Sequence, residues 1–191
     1  MINYNIQNIG IESVALLSDV AIHAYTDHYL HLWKNNDADW YINKCFTIEV
    51  LTAELNDPNN VFYIVFENEK PLGFFKIVLS NPLSIIDSCC DNIEIFEENA
   101  LYLERIYFIK EAVGKGLGEI AFNIALDTAR RLNKKIIWLT AMDSSKKPIA
   151  AYQRMGFEIC GTKQLDFEQI KDEMRGMVIM KKTVGNVKLL I

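Results

Sequence analysis

Leu101-Tyr102-Leu103-Glu104-Arg105-Ile106-Tyr107-Phe108-Ile109, then Val113-Gly114-Lys115-Gly116-Leu117-Gly118, then Glu119–Arg131: this succession decides how the chain folds. The first segment is rich in aromatic and branched residues, as a strand would be. The last repeats apolar residues at three- and four-residue spacing. Leu117, Ile120, Ala121 and Ile124 form one row and Ala125, Ala129 and Leu132 the next, which predicts an amphipathic helix. The glycines fall where one period gives way to the other. A strand that turns through glycines into a helix aims backbone N–H groups and the positive helix end at one point, which suits a diphosphate. One glycine would need no more than a tight turn. Three alternating glycines at a helix start point to anion binding.

Three familiar nucleotide motifs do not fit this loop. Counting from Gly114, the sixth position of a dinucleotide fingerprint is Glu119 rather than glycine. The spacing of a Walker loop and the catalytic motifs of protein kinases are both absent. The loop instead resembles the acetyl-coenzyme A (acetyl-CoA) loop of the GNAT family of N-acetyltransferases, Gln/Arg-x-x-Gly-x-Gly/Ala. Gly116 and Gly118 match that pattern, and Val113 stands where Gln or Arg is expected. The likeness extends to Leu103-Glu104-Arg105-Ile106-Tyr107-Phe108 before the loop. After it, Pro148-Ile149-Ala150-Ala151-Tyr152-Gln153-Arg154-Met155-Gly156-Phe157 is similar to the family's A-I-x-x-Y-x-x-x-G-F element. Among its branches the chain looks most like the bacterial spermidine/spermine N-acetyltransferases.

The resemblance implies an α/β (α+β) fold: a mixed, mostly antiparallel central sheet flanked by helices, with acetyl-CoA in a splay between central strands. It covers residues 60–182 sharply, as the coenzyme-binding core, and assigns the helices of about 11–55 to the acceptor side of one domain, 1–191. Backbone at Ile106, Tyr107 and Phe108 would run beside the pantetheine arm, and one N–H there would polarise the acetyl carbonyl. The amides of Val113, Gly114, Lys115, Gly116, Leu117 and Gly118 would hold the diphosphate; Lys115 would add charge or remain solvated. Tyr152 is the implied general acid for the departing thiolate, with a core tyrosine as the plain alternative. Ser145 falls where relatives carry an asparagine near the pantetheine. Glu104, two residues after Tyr102 and on the same strand face, is a candidate base or a structural ion-pair partner. Water chains could also deprotonate the amine without a dedicated residue.

A chain of 191 residues, half of them apolar, can bury a core without disulfide staples. The formal charge of −5 argues against nucleic acid as a partner and is compatible with a cationic acceptor or with solubility alone. Cys45, Cys89, Cys90 and Cys160 have no zinc spacing, so reduced thiols in a cytoplasmic protein and no metal are expected. His23, His28 and His31 cluster on one early segment, where a surface or acceptor-cleft position is expected rather than a metal site. Met1–Gly10 lacks the basic start and apolar core of a signal peptide, and no run is long enough to span a bilayer. A homodimer is left open.

The remaining pattern predicts a first strand at 2–7, helices at Ile11–Trp33 and Trp40–Leu55, and a hairpin of Phe62–Phe66 with Gly73–Leu79. An irregular acidic stretch, 81–99, follows. Beyond the glycine loop come a strand at Ile136–Thr140, a helix at Pro148–Met155 ended by Gly156, and strands at Glu158–Lys163 and Met174–Lys181. Tyr25, His28, Tyr29, Trp33 and the acidic segment Asp87–Glu98 are candidate acceptor-lining residues, suited to a polyamine by charge and cation–π contact or serving as plain packing and solvated loop. A small primary amine is the expected acceptor. A protein N-terminus or lysine, or a non-catalytic coenzyme-binding module, are the rival readings.

Overall fold

The structure, a computed structural model, describes residues 4–80 and 99–185. The acidic segment Asp87–Glu98, Cys89, Cys90 and the last residues of the Val184–Ile191 tail lie outside the described residues. The chain divides into two compact units, each discontinuous in sequence.

The first unit comprises 1–77, 105–118 and 168–171. Strand β1, Tyr4–Ile9, pairs antiparallel with β2, Asn60–Glu67, from Tyr4 opposite Glu67 to Ile9 opposite Phe62. A two-residue turn, Asn68-Glu69, leads into β3, Lys70–Val78, and Asn68 takes the left-handed conformation (φ 56°) that such tight hairpin turns demand. The hairpin is therefore tighter than its sequence implied. Rings of Tyr63 and Phe75 stack across it, 4.7 Å apart.

Helix α1 spans Val14–Tyr29, preceded and followed by single 3-10 turns. The second predicted helix is in fact two, α2 at Asp39–Cys45 and α3 at Ile48–Asn56. Phe46 caps the end of the first, and Thr47 starts the second, its side-chain oxygen accepting the Val50 N–H as an N-cap. Phe46 is carried into the core at the break, and its carbonyl accepts the Ser18 hydroxyl at 2.6 Å. Residues Glu168–Lys171 close against the end of α1: Lys34 N–H donates to Gln169 O, Lys171 N–H to Leu32 O, and Trp33 bridges Ile170.

The second unit comprises 78–104, 119–167 and 172–191. Strand β4, Ala100–Phe108, begins here and ends in the first unit. Its start pairs in parallel with β5, Ile136–Met142, over Ala100–Tyr102 against Ile136–Trp138, and both strands run on beyond that register. Strand β5 pairs along its whole length with antiparallel β7, Gly176–Thr183, which pairs in turn with β6, Glu158–Gln164, through a bulge at Ile159/Gly161. The seven-stranded order is β1-β2-β3-β4-β5-β7-β6, a mixed and mostly antiparallel sheet flanked by helices, as expected.

Helix α4 runs Leu117–Arg131 and α5 runs Lys146–Arg154. The latter starts before Pro148, which sits in the first turn, where a missing N–H breaks no intrahelical bond. Gly156 (φ 87°) terminates it, its N–H donating to Gln153 O while Phe157 N–H returns to Tyr152 O. Packing in this unit centres on Tyr102, Trp138, Ile179, Val78 and Ala100.

Candidate active site

Strand β4 is drawn close to β3 by Gly73, whose φ of 150° is open only to glycine; a Cβ there would collide with Tyr107 O and with Phe108. Ile109 N–H donates to Leu72 O at 2.8 Å, holding the end of the strand. A 3-10 turn at Lys110–Ala112 then delivers the chain to the glycine loop.

In that loop Gly114 and Gly116 both adopt left-handed conformations, φ 82° and 77°. A Cβ built on Gly114, Gly116 or Gly118 meets nothing within 4 Å, so no packing excludes a side chain there. The glycines serve backbone conformation and approach. Val113 is 67% exposed, while Ala112 and Leu117 on either side are buried. Val113 N–H donates to Lys110 O and Lys115 N–H to Ala112 O, so those two amides are consumed in turns. The first-turn amides of Leu117 and Gly118 have no intrahelical acceptor, as at every helix start. Among the described residues no protein acceptor stands against the amides of Gly114 and Gly116. The loop can therefore offer an anion four amides at an electropositive helix terminus, where each charge-assisted bond contributes about 1.5–3 kcal/mol.

Lys115 does not stand solvated. Its Nζ lies 3.0 Å from both carboxylate oxygens of Glu67 at the end of β2. The preceding turn is tied as well, because Lys110 N–H donates to Asp27 Oδ2 of α1 at 2.7 Å. Sequence reasoning missed Glu67 and Asp27; each is a lone acid far from the loop in sequence, and no motif marks it.

Tyr107 sends its ring into a cluster with Tyr25, Tyr29, Phe46 and Phe74, at centroid distances of 5.4–6.2 Å. Tyr25 stacks on Tyr29 and Tyr41 at 5.0 and 4.7 Å, and its hydroxyl accepts the Trp33 Nε1–H at 3.0 Å. Burial raises the pKa of Tyr25, Tyr29, Tyr41 and Tyr107 above the ordinary 10.0, and neighbouring phenols push Tyr25 and Tyr107 further the same way. All four are neutral at physiological pH and none is a base. Tyr25 and Trp33 are buried core residues, whereas His28 and Tyr29 are half-buried and keep some surface for a ligand. Beneath the cluster, Glu54 receives both guanidinium nitrogens of Arg105 at 2.9 and 2.8 Å and Lys76 Nζ at 3.2 Å. The Arg105 guanidinium lies over the Phe46 ring.

In the second unit, Tyr102 stacks on Trp138 with centroids 3.8 Å apart, and its hydroxyl lies 3.2 Å from Thr140 Oγ1. Tyr102 is thus a packed core residue. Glu104 is half-buried and engaged with neighbouring groups, which fits a structural ion pair as well as a base. Ser145 precedes α5 as its N-cap residue without a side-chain cap bond; its carbonyl accepts Ile149 N–H. Tyr152 is half-buried on α5, and its ring meets Phe157 edge-on at 5.9 Å.

Among the described residues no group of three or more His, Cys, Asp or Glu side chains could hold a metal ion, and no helix is long and apolar enough to cross a membrane.

Comparison with known proteins adds to this geometry. The model of the Acetyltransferase (GNAT) family matches residues 17–157. An uncharacterized N-acetyltransferase from the pepI 3′ region of Lactobacillus delbrueckii subsp. lactis is 24% identical over 116 residues, 61% of this chain. The chain spans 62% of that relative's length. Among solved structures, the PaiA N-acetyltransferase of Thermoplasma acidophilum, in complex with coenzyme A, superposes with a TM-score of 0.70 at 17% identity, covering 95% of this chain and 99% of that one. A spermidine N-acetyltransferase from Vibrio cholerae gives 0.63 at 14% identity over 94% and 93%. At such identities these structures speak to the fold.

Proposed function

Because the chain belongs to the GNAT acetyltransferase family, we propose that it moves the acetyl group of acetyl-CoA to a primary amine by direct attack in a ternary complex. The observation that carries this reading is the loop: two left-handed glycines and a helix start presenting amides beside space that no side chain fills. That arrangement fits the diphosphate of the coenzyme. With two amides consumed in turns, we assign anion binding to the N–H groups of Gly114, Gly116, Leu117 and Gly118 rather than to the full run from Val113. We read both units as parts of one N-acetyltransferase domain, since the family match runs through each.

In the reaction the amine nitrogen bonds to the acetyl carbon, the carbon–sulfur bond breaks, and the sulfur leaves with the bonding pair. A main-chain N–H among Ile106, Tyr107 and Phe108 polarises the carbonyl, a contribution of about 3–4 kcal/mol in other acyl transfers. Tyr152 donates its proton to the departing thiolate. The amine proton passes to Glu104 or to water, and Ser145 contacts the pantetheine arm. Replacing Tyr152 with Phe lowers kcat by about 10²-fold or more and leaves coenzyme affinity unchanged; turnover equal to the parent across pH removes Tyr152 from this role.

For the acceptor we favour a small polyamine such as spermidine or spermine. Support comes from the net charge of −5 and from the aromatic surface around Tyr29 and His28, which suits a cationic chain. The likeness of fold to a spermidine N-acetyltransferase points the same way. Thiol release from acetyl-CoA with a panel of polyamines, other small amines and peptides is the test. Turnover confined to peptides rejects the polyamine, and coenzyme binding without turnover on any amine rejects the enzyme.

A further inference from the structure

We propose that Glu67 is a positioning residue for the coenzyme loop, holding it through Lys115 in the shape that presents the Gly114 and Gly116 amides. This rests on the loop reading above. Between the buried anchors Ala112 and Leu117, the main chain is held by two turn hydrogen bonds at 3.2 and 3.3 Å and has little side-chain packing. Val113 points to solvent, and Gly114 and Gly116 have no side chains and no packing around them. Lys115 is the exception: its ammonium meets both Glu67 oxygens at 3.0 Å, with each side chain only about a quarter exposed.

Glu67 is a firm post for such a tether. It closes β2, is held in register opposite Tyr4, and is followed at once by the tight Asn68-Glu69 turn. Its carboxylate is already matched by the ammonium, so Lys115 is turned toward the sheet and serves the loop as a strut rather than as a charge on the ligand. A partly exposed ion pair contributes little to global stability, but here it orders residues that otherwise lose their conformational freedom when a ligand binds. Preorganisation of this kind appears in coenzyme affinity and not in the chemical step.

The test measures coenzyme A dissociation constants by calorimetry, with steady-state kinetics alongside. Glu67→Gln and Lys115→Met each weaken binding about 2- to 5-fold, the range expected for a pair of this exposure. The double variant is no worse than either single one, and Glu67→Gln keeps kcat at saturating acetyl-CoA. Amide exchange at 113–116 in the unliganded protein accelerates in Glu67→Gln. Unchanged or tighter binding in Glu67→Gln, beside weaker binding in Lys115→Met, overturns the proposal and makes Lys115 a direct phosphate ligand. Additive effects in the double variant also overturn it. Gly116→Val separates the two levels: if it leaves coenzyme affinity intact, the loop reading itself fails, whereas its loss together with a neutral Glu67→Gln sinks only the strut.

Discussion

The glycine loop at Val113–Gly118 and the tyrosine cluster around Tyr25 lie in one unit of the molecule and are built on opposite plans. The loop is exposed and almost free of side-chain contacts, and its chemistry lies in backbone amides set by two positive φ angles. The cluster is made of side chains, with Tyr25, Phe46 and Phe74 buried and half-buried tyrosines around them, rings from α1, α2, β3 and β4 closed around Phe46. A region that binds through its backbone tolerates side-chain change except where a Cβ fills the ligand's space. A region held by interlocked rings responds in stability to every atom removed. The comparison can be broken by showing that the two regions answer alike.

The largest effect is expected at Phe46. Its ring is fully buried and touches Tyr25, Tyr41, Phe74 and Tyr107, so Phe46→Ala leaves a cavity that neighbours on two helices and two strands cannot all close. Urea unfolding should show a loss of about 3–5 kcal/mol. Coenzyme affinity, measured well below the unfolding transition, should stay at the parent value. A coenzyme affinity that falls in step with stability would join the two regions into one.

Gly116→Val reverses the pattern. The residue holds φ 77°, so the substitution strains the backbone by about 1–2 kcal/mol. Its branched side chain also fills the space that the anion needs. Losing two charge-assisted bonds of about 1.5 kcal/mol each weakens coenzyme A binding about 100-fold. Stability falls modestly and affinity collapses, the opposite of Phe46→Ala. An intact affinity would mean that the diphosphate is held elsewhere.

These contrasts also explain what could be read from the sequence. The loop compresses strand, turn and helix into contiguous residues, so period and glycine spacing disclosed the elements and where they meet. The same was true of Tyr152 to Phe157, where Gly156 ends α5 as its position implied. The break between α2 and α3 was hidden because Trp40–Leu55 keeps a helical apolar rhythm across it. Only Thr47, accepting the Val50 N–H, marks the restart. Trp33 looked like a ligand-lining aromatic, yet its neighbour in space, Tyr25, draws the indole N–H inward. Glu67 and Asp27 were illegible, since single acids acquire meaning only through partners some forty-eight and eighty-three residues away.

A third contrast is alkaline. Tyr25, Tyr29, Tyr41 and Tyr107 have pKa values raised by burial above 10.0, where an unfolded chain ionises. The folded state therefore holds protons that the unfolded state releases. Stability from these groups is complete below pH 10.0 and drains away as pH climbs above it. The urea midpoint should fall over that range, and tyrosinate absorbance should show these phenols of the chain's 8 tyrosines ionising only as it unfolds. Smooth titration of every tyrosine in a still-folded protein would show the cluster to be open to water. The loop carries no such groups, so it is expected to follow the fold rather than lead it.

The smallest effect is expected where the sequence departs most visibly from its family's pattern. Val113 replaces the usual Gln or Arg, but its side chain is 67% exposed and its N–H is already given to Lys110 O. In the proposed binding mode, what reaches the anion is main chain further along, and changing Val113 moves none of it. Val113→Gln should therefore alter coenzyme affinity by less than about 3-fold, within the range of an ordinary surface substitution. A gain of tenfold or more would mean that the side chain at this position binds the diphosphate directly. The loop would then resemble the tyrosine cluster in depending on side-chain identity, and the contrast between the two regions would be one of exposure alone.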